Sequence, residues 1–322
     1  MNSFKNKVIF ITGGSGSWGN ELTKQLLDKD PKEIRIFSRG EISQVNMKRK
    51  FLNPKLKFII GDVRDYSALK KATRGVDIIF HLAALKHVPI CEEQPEEAIK
   101  TNIIGIQNLI DVAIENKVKK VIDVSTDKAC NPLNLYGMTK AVGERLMQHA
   151  HAEDTKTYFQ IIRGGNALGS NGSVLPFFID QIKRFNKMTI TNTEMTRYFL
   201  TLSEAVELLF LSSESHLSGG LFVMKMPACK IIDLAKVLIK HFGNAETKIE
   251  VIGTRQGEKI DEVLVSQYES PDCYEYRDKY YLIYPYKKLR LKKVSFKEYS
   301  SKDKLMTFEE IEDLLRRGGF IK

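Results

Sequence analysis

The feature that most constrains this chain lies near its start, where a β-branched run meets a glycine-rich turn and then a helical pattern. Val8-Ile9-Phe10-Ile11 is apolar on both faces, as a buried parallel strand requires. Thr12-Gly13-Gly14-Ser15-Gly16-Ser17-Trp18-Gly19 follows, with Gly13, Gly16 and Gly19 at GxxGxxG spacing, and a helical stretch covers 18–29. Glycines, having no Cβ, let the backbone approach a pyrophosphate at the positive end of a helix. A glycine triplet alone is weak evidence, because turns are glycine-rich. The strand–turn–helix setting makes this one a dinucleotide signature, with Ser15, Ser17 and Trp18 as further candidate contacts.

The alternation continues. Glu33-Ile34-Arg35-Ile36-Phe37, Lys57-Phe58-Ile59-Ile60, Asp77-Ile78-Ile79-Phe80, Lys120-Val121-Ile122-Asp123-Val124 and Phe159-Gln160-Ile161-Ile162 read as strands. Long helical patterns cover 95–116 and 134–151. With the first, six strands alternating with helices predict an α/β fold with a Rossmann-type, doubly wound parallel sheet. From about residue 164 the pattern loosens into Gly, Asn and Ser, as a loop beyond a strand's carboxyl end. Shorter elements at 203–214, 221–224, 231–242 and 248–252 then predict a smaller C-terminal substrate-binding lobe, and a helix ends the chain near 307–316. The expected division is a cofactor domain over 1–165 and a substrate lobe over 166–322, with some chain returning to the first.

Composition excludes several classes. The 322 residues are 43% hydrophobic, enough for a sizeable core. Cys91, Cys130, Cys229 and Cys273 are scattered without a CxxC pair, so neither a disulfide framework nor a metal site is expected. The start of the chain shows no signal peptide, and no apolar run approaches the roughly 20 residues that span a bilayer. A cytoplasmic protein with no membrane partner is expected. The net charge of +10 is spread along the chain, and no aromatic residues interleave the basic runs near 48–50 and 287–293. That argues against nucleic acid and for anionic small molecules.

The end of the second strand selects the cofactor. NAD sites place a carboxylate there, whereas this chain has Ser38-Arg39-Gly40, and a guanidinium with a hydroxyl suits a 2′-phosphate. NADP is expected; the alternative is NAD, with Arg39 in solvent and Glu41 on the ribose. Asp62-Val63, after the third strand, is placed to meet the adenine.

Tyr136-Gly137-Met138-Thr139-Lys140 sets a phenol and an ammonium on one face of a helix. A cation beside a phenol lowers its pKa and makes Tyr136 a usable base. The pair begins about ten residues after Val124-Ser125-Thr126, where a strand ends in hydroxyls.

These features resemble the extended short-chain dehydrogenase/reductase family over roughly residues 5–170. Ser125-Thr126-Asp127-Lys128-Ala129, Ala83-Ala84-Leu85-Lys86-His87-Val88-Pro89, Gly169-Ser170-Asn171-Gly172-Ser173-Val174, Met195-Thr196-Arg197-Tyr198 and Gly253-Thr254-Arg255-Gln256-Gly257-Glu258-Lys259 narrow it. As a set they resemble the UDP-N-acetylglucosamine 4,6-dehydratases, of the C5-inverting branch that opens pseudaminic acid and related deoxysugar pathways. The resemblance implies that Tyr136 takes the C4-hydroxyl proton while hydride passes to NADP, with Lys140 as its partner. Lys128 then takes the C5 proton, and Asp127, beside Thr126, helps the C6 hydroxyl leave. It also implies cofactor contacts at Gln44, Leu82, Ala83, Ala84 and Ser125, with Lys86 and Asn102 orienting the cofactor and the active-site loop. For the nucleotide sugar it implies Lys86, Asn166, Ser173, Val174, Thr191, Arg197, Arg255 and Glu258, and it implies a homo-oligomer, dimer or hexamer, paired through the helices near 95–116 and 134–151. Gly164 stands where the family usually has an aromatic, Gly40 replaces an acidic residue, and Gln256 replaces a proline. C5 retention, a GDP-linked sugar, a 4-epimerase and a non-catalytic NADP sensor remain alternatives.

Overall fold

The protein is described here by a computed structural model covering residues 3–153 and 156–322. Strand β1 (Val8–Thr12) is buried along its whole length, and α1 (Ser17–Leu27) follows the glycine turn. Next come β2 (Glu33–Ser38), α2 (Glu41–Phe51), β3 (Leu56–Ile60), α3 (Tyr66–Ala72) and β4 (Ile78–His81). The short helices α4 (Val88–Glu93) and α5 (Pro95–Ile99) lead to α6 (Gly105–Glu115), β5 (Lys120–Thr126), α7 (Leu135–Ala152) and β6 (Tyr158–Gly164). Strand order reverses at β1, which pairs in parallel with both β2 and β4. Ligands of doubly wound sheets bind above such a switch point, at the strands' carboxyl ends.

The remaining elements are β7 (Asn166–Ala167), α8 (Val174–Phe185), β8 (Lys187–Ile190), β9 (Thr196–Leu200), α9 (Leu202–Glu214), β10 (Leu221–Met224) and β11 (Ala228–Lys230). They continue through α10 (Ile231–Phe242), β12 (Lys248–Val251), β13 (Val263–Val265), β14 (Cys273–Tyr276), β15 (Tyr280–Ile283), β16 (Tyr299–Ser300) and α11 (Phe308–Arg317). The large sheet has nine strands in the order β14-β15-β10-β6-β5-β4-β1-β2-β3. It is the expected Rossmann-type sheet, extended by β10 and by an antiparallel edge pair, β14 and β15.

Two expectations are corrected. The 203–214 and 221–224 segments do not build the second lobe. Helix α9 packs against α1, β5 and β6, and β10 pairs in parallel with β6, so this stretch completes the first layer. The reason is burial: every residue of β10 is apolar and inaccessible, which only a strand covered on both faces permits. The 95–116 helix is likewise not uniform. A π-helical turn at Lys100–Ile104 separates α5 from α6 and turns Thr101 and Asn102 inward. Asn102 uses that position: its side chain bonds both backbone groups of Leu85, at 2.8 and 2.9 Å, and the Thr139 hydroxyl at 3.0 Å.

The second lobe has its own core. Leu175, Phe178 and Ile182 of α8 pack with Leu234 and Leu238 of α10 and Leu314 of α11. Among the described residues no helix is long and apolar enough to cross a membrane.

An ion cluster at the end of β6 ties the sheet to α7 and to the segment between β13 and β14. Arg163 is almost fully buried and donates to Glu144 of α7 at 3.0 and 2.6 Å and to Glu269 at 3.0 and 2.9 Å. A further bond reaches the Leu264 carbonyl at 2.8 Å. Burial pushes the Glu269 carboxyl up, but Arg163 outweighs it and brings the pKa down to about 2. Removing one partner of such a pair strands the others without water, at a cost of about 3–5 kcal/mol. We therefore expect Arg163→Met to lower unfolding free energy by about that amount in urea titrations. Because the folded Glu269 pKa lies below its usual 4.5, the pair's contribution is complete above that pH and fades as pH falls toward 2. The variant should lose that acid-dependent component. A change under about 1 kcal/mol would contradict the assignment.

Candidate active site

A cleft of about 1440 Å³ opens above the carboxyl ends of the central strands and is closed on one side by the second lobe. Gly13, Ser15, Gly16, Ser17 and Trp18 line one end, with Ser38 and Arg39 after β2, Asp62 and Val63 after β3, and Leu82, Ala83, Ala84 and Lys86 after β4. Ser125, Thr126, Lys128 and Tyr136 line the middle, while Asn166, Ser173, Val174, Thr191, Arg197, Arg255 and Glu258 face them from the second lobe.

The glycine turn is built for close approach. Gly13 has φ +64°, and a Cβ there would lie 2.8 Å from the Ala83 nitrogen. No side chain caps the N-terminus of α1, so its first N–H groups remain available to an anion. Ser15 and Ser38 share a 2.9 Å hydrogen bond, and Ser17 accepts from the Asn171 nitrogen at 2.9 Å, which ties the turn to the second lobe. Beside them, Arg64 and Arg39 overcome the effect of burial and hold the Asp62 carboxyl below its usual pKa. The Arg39 side chain is exposed at the cleft edge, and among the described residues no ion pair engages Lys86 or Arg255. Burial lowers the Lys86 pKa. A glycine cradle and an uncapped helix start fit a dinucleotide diphosphate.

Six expected contacts stand off the cleft wall. A Cβ at Gly19 would lie 2.1 Å from the Gly14 oxygen, so this glycine serves turn-to-helix packing. Glu41 begins α2 in solvent. Gln44 is buried and donates to the Ser38 backbone and hydroxyl and to the Ile59 carbonyl, strapping β2 to β3. Asn102 holds the Leu85 backbone. Asp127 lies behind Lys128, and Lys140 pairs with Asp123 at 3.2 Å. Ser125 reaches the wall, but its hydroxyl donates to Glu144 at 2.5 Å.

The expected effect of Lys140 on Tyr136 is also corrected. Both Lys140 and Asp123 are buried, and a buried ammonium takes the nearest carboxylate. Burial pushes the Tyr136 phenol up to about 12, and the charge drawing it down is that of Lys128, aided by the Thr126 hydroxyl.

The acid–base pair is held tightly. The Thr126 hydroxyl donates to Asp127 Oδ1 at 2.9 Å, and Lys128 Nζ donates to the same oxygen at 3.0 Å. Gly137 permits this approach, because a Cβ there would lie 2.2 Å from the Lys128 carbonyl oxygen. On its other side Lys128 Nζ lies 3.4 Å from Oε1 of Glu262. Burial pulls the ammonium's pKa down, but Asp127 and Glu262 outweigh it and raise it above the usual value.

Glu262 escaped the sequence reading, although it follows the Gly253–Lys259 motif by three residues. Arg197, in contrast, is occupied. Its Nη1 donates to the Thr196 and Ile260 carbonyls and its Nη2 to the Lys259 carbonyl and the Met195 sulfur, while Nε faces Glu262 at 3.7 Å. Its five donors are turned toward the protein. Glu258 accepts from the Arg255 nitrogen at 3.1 Å and closes the turn that presents the Arg255 side chain.

Comparison with known proteins places these features in context. The chain is 45% identical to the UDP-N-acetylglucosamine 4,6-dehydratase (inverting) of Campylobacter jejuni, over 88% of this chain and 84% of that protein. It is 48% identical to a UDP-glucose 4-epimerase of Rickettsia akari, over 82% and 79%. The structure of Pen from Bacillus thuringiensis superposes with a TM-score of 0.94 at 36% identity, covering 99% of this chain and all of that one. The dTDP-glucose 4,6-dehydratase DesIV of Streptomyces venezuelae shares the fold, with a TM-score of 0.73 at 21% identity over 79% of this chain and 86% of that one. A family model described as polysaccharide biosynthesis protein matches residues 9–284, and the chain belongs to that family.

Proposed function

We propose that the protein is an NADP-dependent 4,6-dehydratase that acts on UDP-N-acetylglucosamine with inversion at C5. The observation that carries this reading is the Asp127–Lys128 pair, fixed at 3.0 Å beside Tyr136 in a cleft large enough for a dinucleotide and a sugar nucleotide. A 4-epimerase needs the tyrosine but no second acid–base pair, whereas loss of the C6 hydroxyl needs both members. The 45% identical Campylobacter jejuni dehydratase agrees with this reading and the 48% identical Rickettsia akari epimerase with the other, so the choice rests on the pair.

A nicotinamide cofactor supplies the hydride acceptor for C4 and the hydride donor for C6. The chain does the proton chemistry. Tyr136 takes the C4-hydroxyl proton, and the resulting ketone makes the hydrogen at C5 acidic. A proton passed from Lys128 to Asp127 leaves a neutral amine that accepts the C5 proton and a carboxylic acid that supplies one to the departing C6 hydroxyl, so that water is lost across C5–C6. Reprotonation at C5 on the opposite face gives the inverted 4-keto-6-deoxy product. Lys86 and Arg255 are assigned to the substrate diphosphate, and Arg197 to holding the loop that carries Arg255. Arg39 and Ser38 are assigned to the cofactor's 2′-phosphate.

Incubation with UDP-N-acetylglucosamine in deuterated water, read by mass spectrometry, should give a product one water lighter with deuterium at C5. A 4-epimer without deuterium at C5 would replace this reading with the epimerase one. Asp127→Asn and Lys128→Ala should each lower kcat by about 10²–10⁴-fold. Both should leave NADP affinity intact by calorimetry. Arg39→Ala should weaken NADP binding by roughly 10- to 100-fold with little effect on NAD, as expected for charge-assisted hydrogen bonds to a phosphate. Equal losses for both cofactors would contradict that role.

Ile99 and Ile104 on the 95–115 helix, and Met138 and Val142 one turn apart on the adjoining α7, are exposed apolar residues on neighbouring elements. This supports a homo-oligomer joined through these helices. Sedimentation should show a dimer or hexamer, with Val142→Glu shifting it toward monomer.

A further inference from the structure

Glu262 is 2% exposed, yet charges surround it. Its Oε1 lies 3.4 Å from Lys128 Nζ and 3.7 Å from Arg197 Nε, and its Oε2 lies 3.7 Å from Lys259 Nζ without a hydrogen-bond partner. Its backbone nitrogen donates to the Ser301 hydroxyl at 2.9 Å, which fixes the residue at the start of β13. Lys259 in turn donates to the Cys130 carbonyl, two residues beyond Lys128.

We propose that Glu262 is a positioning residue that holds Lys128 in its ammonium form against Asp127, so that the second lobe controls when the pair can accept a proton. This rests on the dehydratase reading, in which Lys128 takes the C5 proton. An ammonium flanked by two carboxylates must release its proton before it can accept one. The groups facing Lys128 are Asp127 on its own loop, Tyr136 on α7, and Glu262 and Arg197 from the second lobe; Lys259 faces Glu262. The carboxylates favour the charged amine, and Arg197 opposes it. Lys259 opposes it at one remove, by sharing Glu262. The segment that carries Arg255 thus also carries a carboxylate that favours the lysine's charged form.

The test uses two variants of opposite sign. Glu262→Gln keeps the shape but removes one carboxylate charge, so the rising limb of kcat against pH should move to lower pH by roughly one unit or more. Lys259→Met frees Glu262 toward Lys128 and should move the same limb to higher pH. The Lys128 titration, followed by NMR with ε-¹³C-lysine and assigned with Lys128→Arg, should move in the same two directions without any turnover. A lower kcat with an unmoved limb and an unmoved NMR titration would reduce Glu262 to a structural role and overturn the proposal. A protein that turns over no sugar nucleotide, but whose NMR titration moves as stated, would sink the dehydratase reading while leaving the hold of Glu262 on Lys128 established.

Discussion

The guanidinium of Arg163, buried between Glu144 and Glu269, joins three stretches of chain that are far apart in sequence. Glu144 lies on the helix that carries Tyr136 and Lys140, and it accepts from Ser125 on the strand that ends in Thr126. Glu269 and the Leu264 carbonyl belong to the segment that begins with Glu262. One arginine thus ties together the sheet, α7 and the segment between β13 and β14. An apolar residue at 163 could fill the space. It could not specify which carboxylate-bearing segments meet there.

Above that anchor the cleft is organised by charge. Lys140 and Asp123 pair in the sheet, next to His81, whose pKa burial lowers to about 4 and which shares a 2.7 Å hydrogen bond with Thr12 of the glycine turn. This polar row is closed on itself and leaves Tyr136 to the influence of Lys128. Lys86 and Arg255 line the cleft without an ion pair among the described residues, whereas Arg197 is spent on backbone carbonyls. Cations that hold the fold are therefore distinguished from the others of the cleft by their hydrogen bonds, not by their residue type.

Much of this was legible in the sequence, for definite reasons. The glycine turn, the parallel strands and the Tyr136–Lys140 spacing are local patterns, and local patterns survive without coordinates. Most of the expected cofactor and substrate positions also share one cleft, because the quoted motifs lie at strand ends or in the loops facing them. What could not be read was which buried polar group answers which. Gln44, Asn102 and Lys140 each sit one turn or one strand away from the cleft wall, a displacement that no sequence spacing encodes. Asp123 and Arg163 carried a visible signal, a charge inside an apolar strand, but their partners are set by strand register and by segments more than 100 residues away in the case of Glu269. Strand β10 was misplaced because a short apolar strand looks the same in either lobe.

In the proposed reaction the Asp127–Lys128 pair removes the C6 hydroxyl of a sugar nucleotide. Its most direct test is a crystal structure of the protein with NADP and UDP-N-acetylglucosamine. The C5–C6 edge of the sugar should lie against Lys128 and Asp127, with the C4 hydroxyl at Tyr136 and the diphosphate at Arg255 and Lys86. A sugar whose C4 hydroxyl meets Tyr136 while its C6 hydroxymethyl group points away from Asp127 would contradict it.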